Sequence, residues 1–148
     1  MFIMNEPRRG VINRLEGYRL LIVDDDEQHA VLFGMLLESI CGAEVVVARD
    51  YSEGIAVARD QDFDALLIDY RLNDEGNGVN LLQIITAEKE VGFLVLMSAT
   101  SRFHFKPEEQ AWLNEHPEVV YFEKPFVFPT IVYQITDLLA DRINGNGE

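Results

Sequence analysis

Two groups of carboxylates follow two short apolar runs of the sequence. The run 20–23 ends in Asp24, Asp25 and Asp26, and the run 65–68 ends in Asp69. Short, fully apolar runs are typical of buried parallel strands, and open α/β sheets place ligands and chemistry at the carboxyl ends of such strands. Crowded acids repel one another, and a divalent cation held by oxygen ligands relieves that repulsion. The residues therefore predict a metal-assisted site at a strand end, centred on Asp69.

Two further polar features end apolar runs later in the chain. Ser98 follows the run 92–97, and Lys124 with Pro125 follows the short run 119–122. Taken alone, an acidic run is usually a solvated loop, and a single lysine or serine is usually a surface or turn residue. The joint placement of these features after successive predicted strands is the specific signal, because it brings them all to one edge of a sheet.

The elements that must position these residues alternate between strand and helix. Apolar runs predict five strands, at 19–24, 45–48, 63–69, 92–98 and 119–122. Apolar periodicity and helix-start residues predict five helices, at 27–40, 52–59, 79–89, from 107 onward and 129–143. Strict alternation over five units predicts a parallel sheet with helices on both faces and right-handed crossovers.

Several residues indicate where the helices begin and end. Asp26 is a suitable N-cap for the first helix, and Gly42 is a suitable stop for it. Ser52 can cap the second helix, with Ala56 among its inward-facing residues, and Pro107 suits the first turn of the fourth. Two aromatic residues just before the fourth helix leave two roles open, because Phe103 and Phe105 fit either the core or a docking surface.

Length and composition indicate one globular domain. The chain has 148 residues, of which 48% are apolar, and that length is enough to bury a core. We assign residues 1–17 to an N-terminal extension, 18–143 to the domain and 144–148 to a polar tail. The single cysteine, Cys41, excludes an intrachain disulfide and a multi-cysteine metal site, and its place at a helix end predicts a buried or half-buried thiol.

Charge and hydropathy argue against a nucleic-acid-binding protein and against a membrane or secreted protein. It carries 26 acidic and 12 basic residues, a formal net charge of −14, which argues against a nucleic-acid-binding surface. The sequence contains no apolar segment that could span a membrane and no apolar core of a signal peptide near its start, so a cytoplasmic location is expected.

In its motifs and in their order, the sequence resembles the receiver domain of two-component response regulators. The likeness covers residues 18–143. It rests on four motifs, at 21–26 (LIVDDD), 67–72 (LIDYRL), 97–99 (MSA) and 121–126 (YFEKPF). The resemblance implies an α/β fold, the flavodoxin-like (βα)5 three-layer sandwich, with five parallel strands in the order 2-1-3-4-5. That order would bring Asp24, Asp25 and Asp69 together at the topological switch point.

The resemblance also implies the chemistry of the acidic site. Asp69 would be the phosphoacceptor, receiving a phosphoryl group from a phosphohistidine on a sensor histidine kinase or a histidine phosphotransfer protein. Asp25, Asp24 through water, Asp69 and the backbone carbonyl of Arg71 would hold Mg²⁺ or Mn²⁺. Lys124 would pair with a phosphoryl oxygen as a point charge. The protein would be a switch, not an enzyme, catalysing only its own phosphorylation and dephosphorylation.

The resemblance implies a switch formed by Ser98 and Tyr121, with Ala99 and Pro125 in supporting roles. Ser98 would donate a hydrogen bond to the phosphoryl group, Ala99 would leave access to it, and Pro125 would hold the loop after Lys124. Tyr121 fits the aromatic switch position of the family and fits plain strand packing equally well. The responsive surface would comprise helix four, strand five and helix five, through which an unidentified downstream protein, or a second copy of the chain in a homodimer, could bind.

The chain departs from the family pattern in its loops. Asn73 stands where a proline is usual, Gly76 adds a glycine to the same loop, and the stretch from Ser98 to Lys124 is longer than usual. The long cation Arg71, two residues after Asp69, motivates the hypothesis that its side chain shields the phosphoryl group and slows hydrolysis.

Two other functions compete with this interpretation. A haloacid-dehalogenase-like phosphatase would use Asp24-x-Asp26 as its nucleophile motif, but Gln28 stands where threonine or valine is usual, and Asp69 would have no role. A pseudo-receiver that binds partners without phosphorylation would typically have lost part of the acidic set, which is complete here.

The three histidines have no ligand spacing and are expected to be exposed; they are His29, His104 and His116.

Overall fold

Five parallel strands form a single sheet in the computed structural model, which describes residues 13–73 and 75–142. The strands are β1 (Arg19–Val23), β2 (Glu44–Ala48), β3 (Ala65–Asp69), β4 (Phe93–Ser98) and β5 (Val119–Glu123). Their order is β2-β1-β3-β4-β5, and each neighbouring pair is parallel. The predicted sheet order is therefore confirmed. Most of the predicted N-terminal extension and the whole C-terminal tail lie outside the described residues.

Helices cover both faces of this sheet. They are α1 (Glu27–Cys41), α2 (Tyr51–Asp60), α3 (Gly78–Glu88), α4 (Pro107–Glu115) and α5 (Phe128–Ala140). A single 3₁₀ turn, Arg102–His104, precedes α4 in the long stretch between β4 and β5. The flavodoxin-like three-layer architecture is confirmed, because each strand is followed by one helix and the helices lie on two sides of one sheet.

The pleat of the strands divides the core into two halves. Alternate strand residues such as Leu20 and Ile22 point to one face, where they pack against α1 and α5 through Phe33 and Ile135. The intervening residues, such as Leu21, point to the opposite face and pack against α2, α3 and α4. Successive side chains of a strand alternate between faces, so the continuous apolar runs of β1 and β3 reflect burial on both sides.

The observed start and end of α1 agree with those predicted from the sequence, whereas the start of α2 differs. The Asp26 side chain accepts a hydrogen bond from the His29 amide at the start of α1, and Gly42 ends that helix with φ +80°. The prediction that Ser52 caps α2 is wrong, because Asp50 accepts from the Glu53 amide at 2.8 Å. The buried residues of α2 are Gly54 and Ala58, which lie four residues apart on one face. Ala56, which we expected to face inward, lies on the opposite side of the helix and is exposed.

Two further expectations about exposure can be compared with the structure. Phe105 is buried and Phe103 is 79% exposed, so one of the two aromatic residues joins the core and the other does not. His104 is exposed as expected, but His29 and His116 are half-buried, so the expectation is wrong for those two. Within the described ranges, the helices are all too short or too polar to cross a lipid bilayer.

Candidate functional site

The predicted chemical residues meet at the carboxyl edge of the sheet. Asp24 immediately follows β1, Asp69 ends β3 and Ser98 ends β4, while Lys124 immediately follows β5. The in-register pairing of these parallel strands aligns their ends: Val23 lies opposite Ile68, and Asp69 lies opposite Met97. The three polar residues at the strand ends are almost fully buried, with exposed fractions of 0% for Asp24, 6% for Asp69 and 3% for Ser98.

Lys124 joins the two buried carboxylates. Its Nζ lies 2.9 Å from Asp69 Oδ1 and 3.1 Å from Asp24 Oδ2. The backbone of Lys124 is held as well, because its amide donates to the Ser98 carbonyl at 2.7 Å. Burial lowers the pKa of the Lys124 ammonium, but the hydrogen bond and charge of Asp69, aided by Asp24, raise it above its usual value. Lys124 is therefore a fixed positive charge beside Asp69.

Asp24 is surrounded by donors on its other sides. Its Oδ1 accepts from the Asp26 amide at 3.0 Å, and its Oδ2 lies 2.8 Å from His29 Nδ1. Burial by itself raises the pKa of Asp24, but the hydrogen bonds with His29 and Asp26 and the charge of Lys124 bring the pKa below its usual value. Asp24 is therefore a carboxylate at neutral pH. His29, on the first turn of α1, is a site residue that the sequence interpretation missed.

The environment of Asp69 shifts its pKa in the opposite direction from that of Asp24. Burial and the negative charge of Asp24 raise the pKa of Asp69 to about 6, although the hydrogen bond and charge of Lys124 work against that rise. Two neighbouring carboxylates thus differ because most of the stabilising donors are directed at Asp24. A cation bound beside Asp69 would favour its ionised form.

The acidic cluster has the composition of a magnesium site. Asp24, Asp25 and Asp69 each offer a carboxylate oxygen, and these ligand atoms lie within 4.8 Å of one another. Hard oxygen ligands drawn from a few carboxylates, with room for retained water, suit Mg²⁺. The side chains present therefore fit the ion. That the Arg71 backbone carbonyl also binds the ion stays a prediction.

A cleft opens beside Asp69 and connects the acidic cluster to solvent. Its volume is about 230 Å³. It is lined by all but three of the predicted site residues, together with Thr100: Asp25, Asp69, Arg71, Ser98, Ala99, Thr100 and Lys124. Ala99 leaves the wall of the cleft open because its side chain is only a methyl group. Asp24 is buried and does not line the cleft. Pro125 follows Lys124 through a cis peptide bond.

The two predicted switch residues both contact Thr100. Ser98 Oγ accepts a hydrogen bond from the Thr100 amide at 2.9 Å, and the Tyr121 hydroxyl donates to the Thr100 carbonyl at 2.6 Å. Tyr121 is half-buried, and burial raises the pKa of its phenol. Ser98 and Tyr121 therefore bind the same stretch of the β4–α4 loop, at one wall of the cleft.

A third buried carboxylate lies near the site, and the sequence interpretation missed it. Glu109, in the first turn of α4, is 2% exposed and accepts a hydrogen bond from the Tyr70 hydroxyl. Its sequence neighbourhood, a proline followed by two acids, reads only as a normal helix start. No signal in the sequence pairs Glu109 with Tyr70, because the partners lie 39 residues apart, one in a helix and one in a loop.

Comparisons with known proteins agree with this fold. The family model described as the response regulator receiver domain matches residues 20–134. Among solved structures, a CheY-like receiver domain protein from Methanospirillum hungatei JF-1 has 22% identity and a TM-score of 0.72, with 86% of this chain and 98% of that chain covered. The receiver domain of the Francisella response regulator 1452 has 21% identity and a TM-score of 0.70, with 86% and 100% covered.

A third solved structure was determined with a bound ligand. The response regulator TrrA from Thermotoga maritima, in complex with Mg(2+)-BeF, has 21% identity and a TM-score of 0.67, with 82% of this chain and 98% of that chain covered. No curated protein sequence matches this chain. At these identities the solved structures support the fold, while the family model spans more than half of the sequence. The chain belongs to the response regulator receiver domain family.

Proposed function

We propose that this protein is a phosphorylation-controlled switch in which Asp69 accepts a phosphoryl group from a phosphohistidine. The observation that carries the proposal is the position of Asp69: a nearly buried carboxylate at the floor of a cleft, 2.9 Å from the ammonium of Lys124. Carboxylates are known nucleophiles in phosphoryl transfer, where they form acyl phosphates.

The transfer requires one bond to form and one to break. A carboxylate oxygen of Asp69 attacks phosphorus, the phosphorus–nitrogen bond of the donor breaks, and the imidazole leaves with the bonding electron pair and takes up a proton. Phosphoryl transfer needs little covalent help from a protein beyond alignment and charge stabilisation. Lys124 supplies a fixed positive charge at Asp69, and Ala99 keeps the wall of the cleft open to the incoming group.

Mg²⁺, or Mn²⁺ in its place, is the expected cofactor. When bound, such a cation neutralises charge on the carboxylates and on the phosphoryl oxygens. Asp24, Asp25 and Asp69 would hold it, since their ligand atoms already lie within 4.8 Å of one another. The hydrogen bonds to Asp24 keep that residue ionised without the metal, so the site is prepared to receive a cation.

The proposed partners follow from the same chemistry. The donor would be a sensor histidine kinase or a histidine phosphotransfer protein in the cytoplasm, and the protein would turn over no other substrate. We place the output surface on α4, β5 and α5, because Tyr121 of β5 contacts the β4–α4 loop that lines the cleft. Binding of a downstream protein there, or of a second copy of this chain, stays a prediction.

The geometry of Asp24 argues against the phosphatase alternative. That function would require Asp24 to be the attacking nucleophile, yet this residue is 0% exposed. Its oxygens also already accept from Asp26, His29 and Lys124. A nucleophile must reach its substrate, and Asp69 lines the cleft whereas Asp24 does not.

Incubation with acetyl phosphate and Mg²⁺, followed by intact mass spectrometry, tests the proposal. We expect one labile phosphoryl adduct on the wild-type protein, and no adduct on Asp69→Ala or when EDTA replaces Mg²⁺. Asp60→Ala is the matched control, since Asp60 is an exposed acid at the end of α2, and it should be phosphorylated normally.

Three results would contradict the proposal or favour an alternative. An adduct that persists in Asp69→Ala would place the phosphoacceptor elsewhere. Absence of any adduct or beryllofluoride response would favour a pseudo-receiver. Sustained hydrolysis of a phosphomonoester that depends on Asp24 would favour the phosphatase.

A further inference from the structure

Glu109 forms a buried junction between three chain segments. Its Oε1 accepts from the Tyr70 hydroxyl at 2.6 Å and from the Lys106 amide at 3.2 Å, and its Oε2 accepts from Asn77 Nδ2 at 2.7 Å. The residue is 2% exposed, which is unusual for a glutamate unless its oxygens are satisfied. Burial raises the pKa of Glu109, but the hydrogen bonds from Tyr70 and Asn77 bring it below its usual value, so Glu109 is a carboxylate at neutral pH.

The segments that meet at Glu109 include two of the loops that line the phosphoryl cleft. Tyr70 immediately follows Asp69, and Asn77 is the N-cap of α3, so these two residues bracket the β3–α3 loop. Lys106 and Glu109 belong to the start of α4, at the end of the β4–α4 loop. One carboxylate therefore fixes the first turn of α4 to both ends of the loop that begins at Asp69.

An aromatic contact strengthens the same connection. The Tyr70 ring stacks on Phe105 with centroids 4.0 Å apart and an interplanar angle of 11°. Phe105 meets Tyr121 edge to face at 6.1 Å. The Tyr70 amide also donates to the Met97 carbonyl at 2.7 Å, which extends the pairing of β3 with β4 by one residue. Movement of Tyr121 or of α4 therefore acts on Phe105 and Tyr70, one residue from Asp69.

Breaking this junction would be costly. A buried carboxylate that loses a donor keeps its charge and loses compensation for its lost hydration. The start of α4 can therefore leave its present position only if Tyr70 and Asn77 follow it or if Glu109 reaches water. In the same arrangement, Ser98 Oγ accepts a hydrogen bond from the Thr100 amide.

We propose that Glu109 is a positioning residue that holds α4 against the β3–α3 loop in the resting state and so couples α4 to the phosphorylation of Asp69. The inference rests on the proposed function, since it assumes that Asp69 is the phosphoacceptor. Coupling between two sites is reciprocal. A partner that draws the start of α4 away from Glu109 would therefore favour phosphorylation of Asp69, and phosphorylation would loosen α4.

Two substitutions disrupt different hydrogen bonds of Glu109. Tyr70→Phe keeps the ring that stacks on Phe105 and removes only the hydroxyl donor to Glu109. Glu109→Gln keeps an acceptor oxygen for Tyr70 and places an amide donor against the Asn77 donor. Glu108→Gln is the matched control, because Glu108 is an exposed acid one residue earlier on the same helix.

Each variant is tested by two measurements on the full chain. The first is amide hydrogen exchange of residues 107–115 in the unphosphorylated protein. The second is the rate of phosphorylation by acetyl phosphate with Mg²⁺. We expect Tyr70→Phe and Glu109→Gln to exchange about tenfold faster in this segment, as loss of one hydrogen bond to a charged group implies. We also expect both to be phosphorylated severalfold faster than wild type, and Glu108→Gln to match wild type in both measurements.

The phosphorylation rate separates coupling from a purely structural role. A structural role alone would loosen α4 without speeding the reaction at Asp69. Phosphorylation of Tyr70→Phe and Glu109→Gln at or below the wild-type rate would therefore overturn the coupling while leaving the proposed function intact. Absence of any adduct on the wild-type protein would overturn the proposed function and the coupling together.

Discussion

At the scale of single residues, the site separates two neighbouring carboxylates. Asp24 and Asp69 end adjacent strands and share the ammonium of Lys124, yet their pKa values shift in opposite directions. The difference arises because His29 and the Asp26 amide also donate to Asp24, whereas Asp69 is left with burial and a like charge beside it. Asp24 is thereby suited to hold a cation, and Asp69 remains the carboxylate with an oxygen to offer at the cleft.

The raised pKa of Asp69 predicts a pH-dependent effect of Asp69→Asn on stability. The folded-state pKa of about 6 lies above the unfolded value of about 3.9, so the folded state binds more protons between those values. Stability from this group is therefore full below about pH 4 and is lost as pH rises through about 6. In EDTA, Asp69→Asn should be more stable than wild type by about 3 kcal/mol at pH 8 and by no more than about 0.5 kcal/mol near pH 4.

Urea unfolding at the two pH values measures this difference. Asp60→Asn, at an exposed position, is the control and should change stability little at either pH. A difference between wild type and Asp69→Asn that is the same at pH 4 and pH 8 would mean that Asp69 titrates normally in the folded protein.

Arg71 is the residue at which we expect the lifetime of the phosphorylated state to be set. It lines the cleft two residues after Asp69, where a long cationic side chain can shield an acyl phosphate from water. Arg71→Ala should therefore lose its phosphoryl group severalfold faster than wild type, measured by mass after removal of the phosphodonor. Arg59→Ala is the control, because Arg59 pairs with Glu88 away from the cleft. Equal rates for wild type and Arg71→Ala would remove the shielding role.

At the scale of elements, the close contact of α3 with the end of β3 positions the loop that follows Asp69. The amide of Gly78, the first residue of α3, donates to the Tyr70 carbonyl at 2.7 Å. A Cβ at Gly78 would collide with the backbone carbonyl of Asp69. The start of α3 can approach β3 this closely only because Gly78 has no side chain. The 3₁₀ turn before α4 similarly accounts for part of the long stretch between Ser98 and Lys124.

We therefore expect Gly78→Ala to destabilise the protein by about 2–4 kcal/mol, since backbone atoms cannot yield as a flexible side chain would. Chemical denaturation measures the change. Gly92→Ala is the matched control, because a Cβ there would meet only the Asp64 carbonyl at an ordinary 3.7 Å. A loss below about 0.5 kcal/mol in Gly78→Ala, similar to that expected for an exposed surface site, would show that α3 can shift freely away from β3.

At the scale of the whole molecule, the negative charge has two parts: the net charge of the whole chain and the acidic cluster at one edge of the sheet. The net charge of −14 opposes compaction through self-repulsion, and the cluster of Asp24, Asp25 and Asp69 concentrates part of it at one edge of the sheet. Dissolved salt screens the diffuse charge, whereas only a bound cation offsets the buried cluster efficiently. The same acidity suits a basic docking partner.

Two salts at equal ionic strength should separate these contributions. Raising NaCl from about 10 mM to about 200 mM should raise the Tm by a few degrees through screening. MgCl₂ should raise the Tm further, because it binds the folded state, and Asp25→Asn should lose only this additional rise. Identical Tm values in the two salts would argue against a magnesium site in the resting protein.

The fold, and the meeting of the polar residues at one edge of the sheet, were predictable because local signals agreed along the chain. Apolar runs that end in Asp24, Asp69, Ser98 and Lys124 recur after successive strands, and parallel pairing brings all strand ends to one edge. The helix start at Ser52 was misplaced because Asp50 offered an equally good cap two residues earlier, and sequence alone does not rank two such candidates. Element boundaries are accordingly less determined by sequence than the elements themselves.

What the sequence by itself determined is the alternation of strands and helices and the set of acids that meet at the sheet edge. Only the tertiary structure decided that His29 contacts Asp24, that Phe103 is exposed while Phe105 is buried, and that Glu109 joins two loops. The reason is physical: periodicity and capping act within a few residues, whereas burial and hydrogen bonding of a side chain depend on segments far apart in the chain.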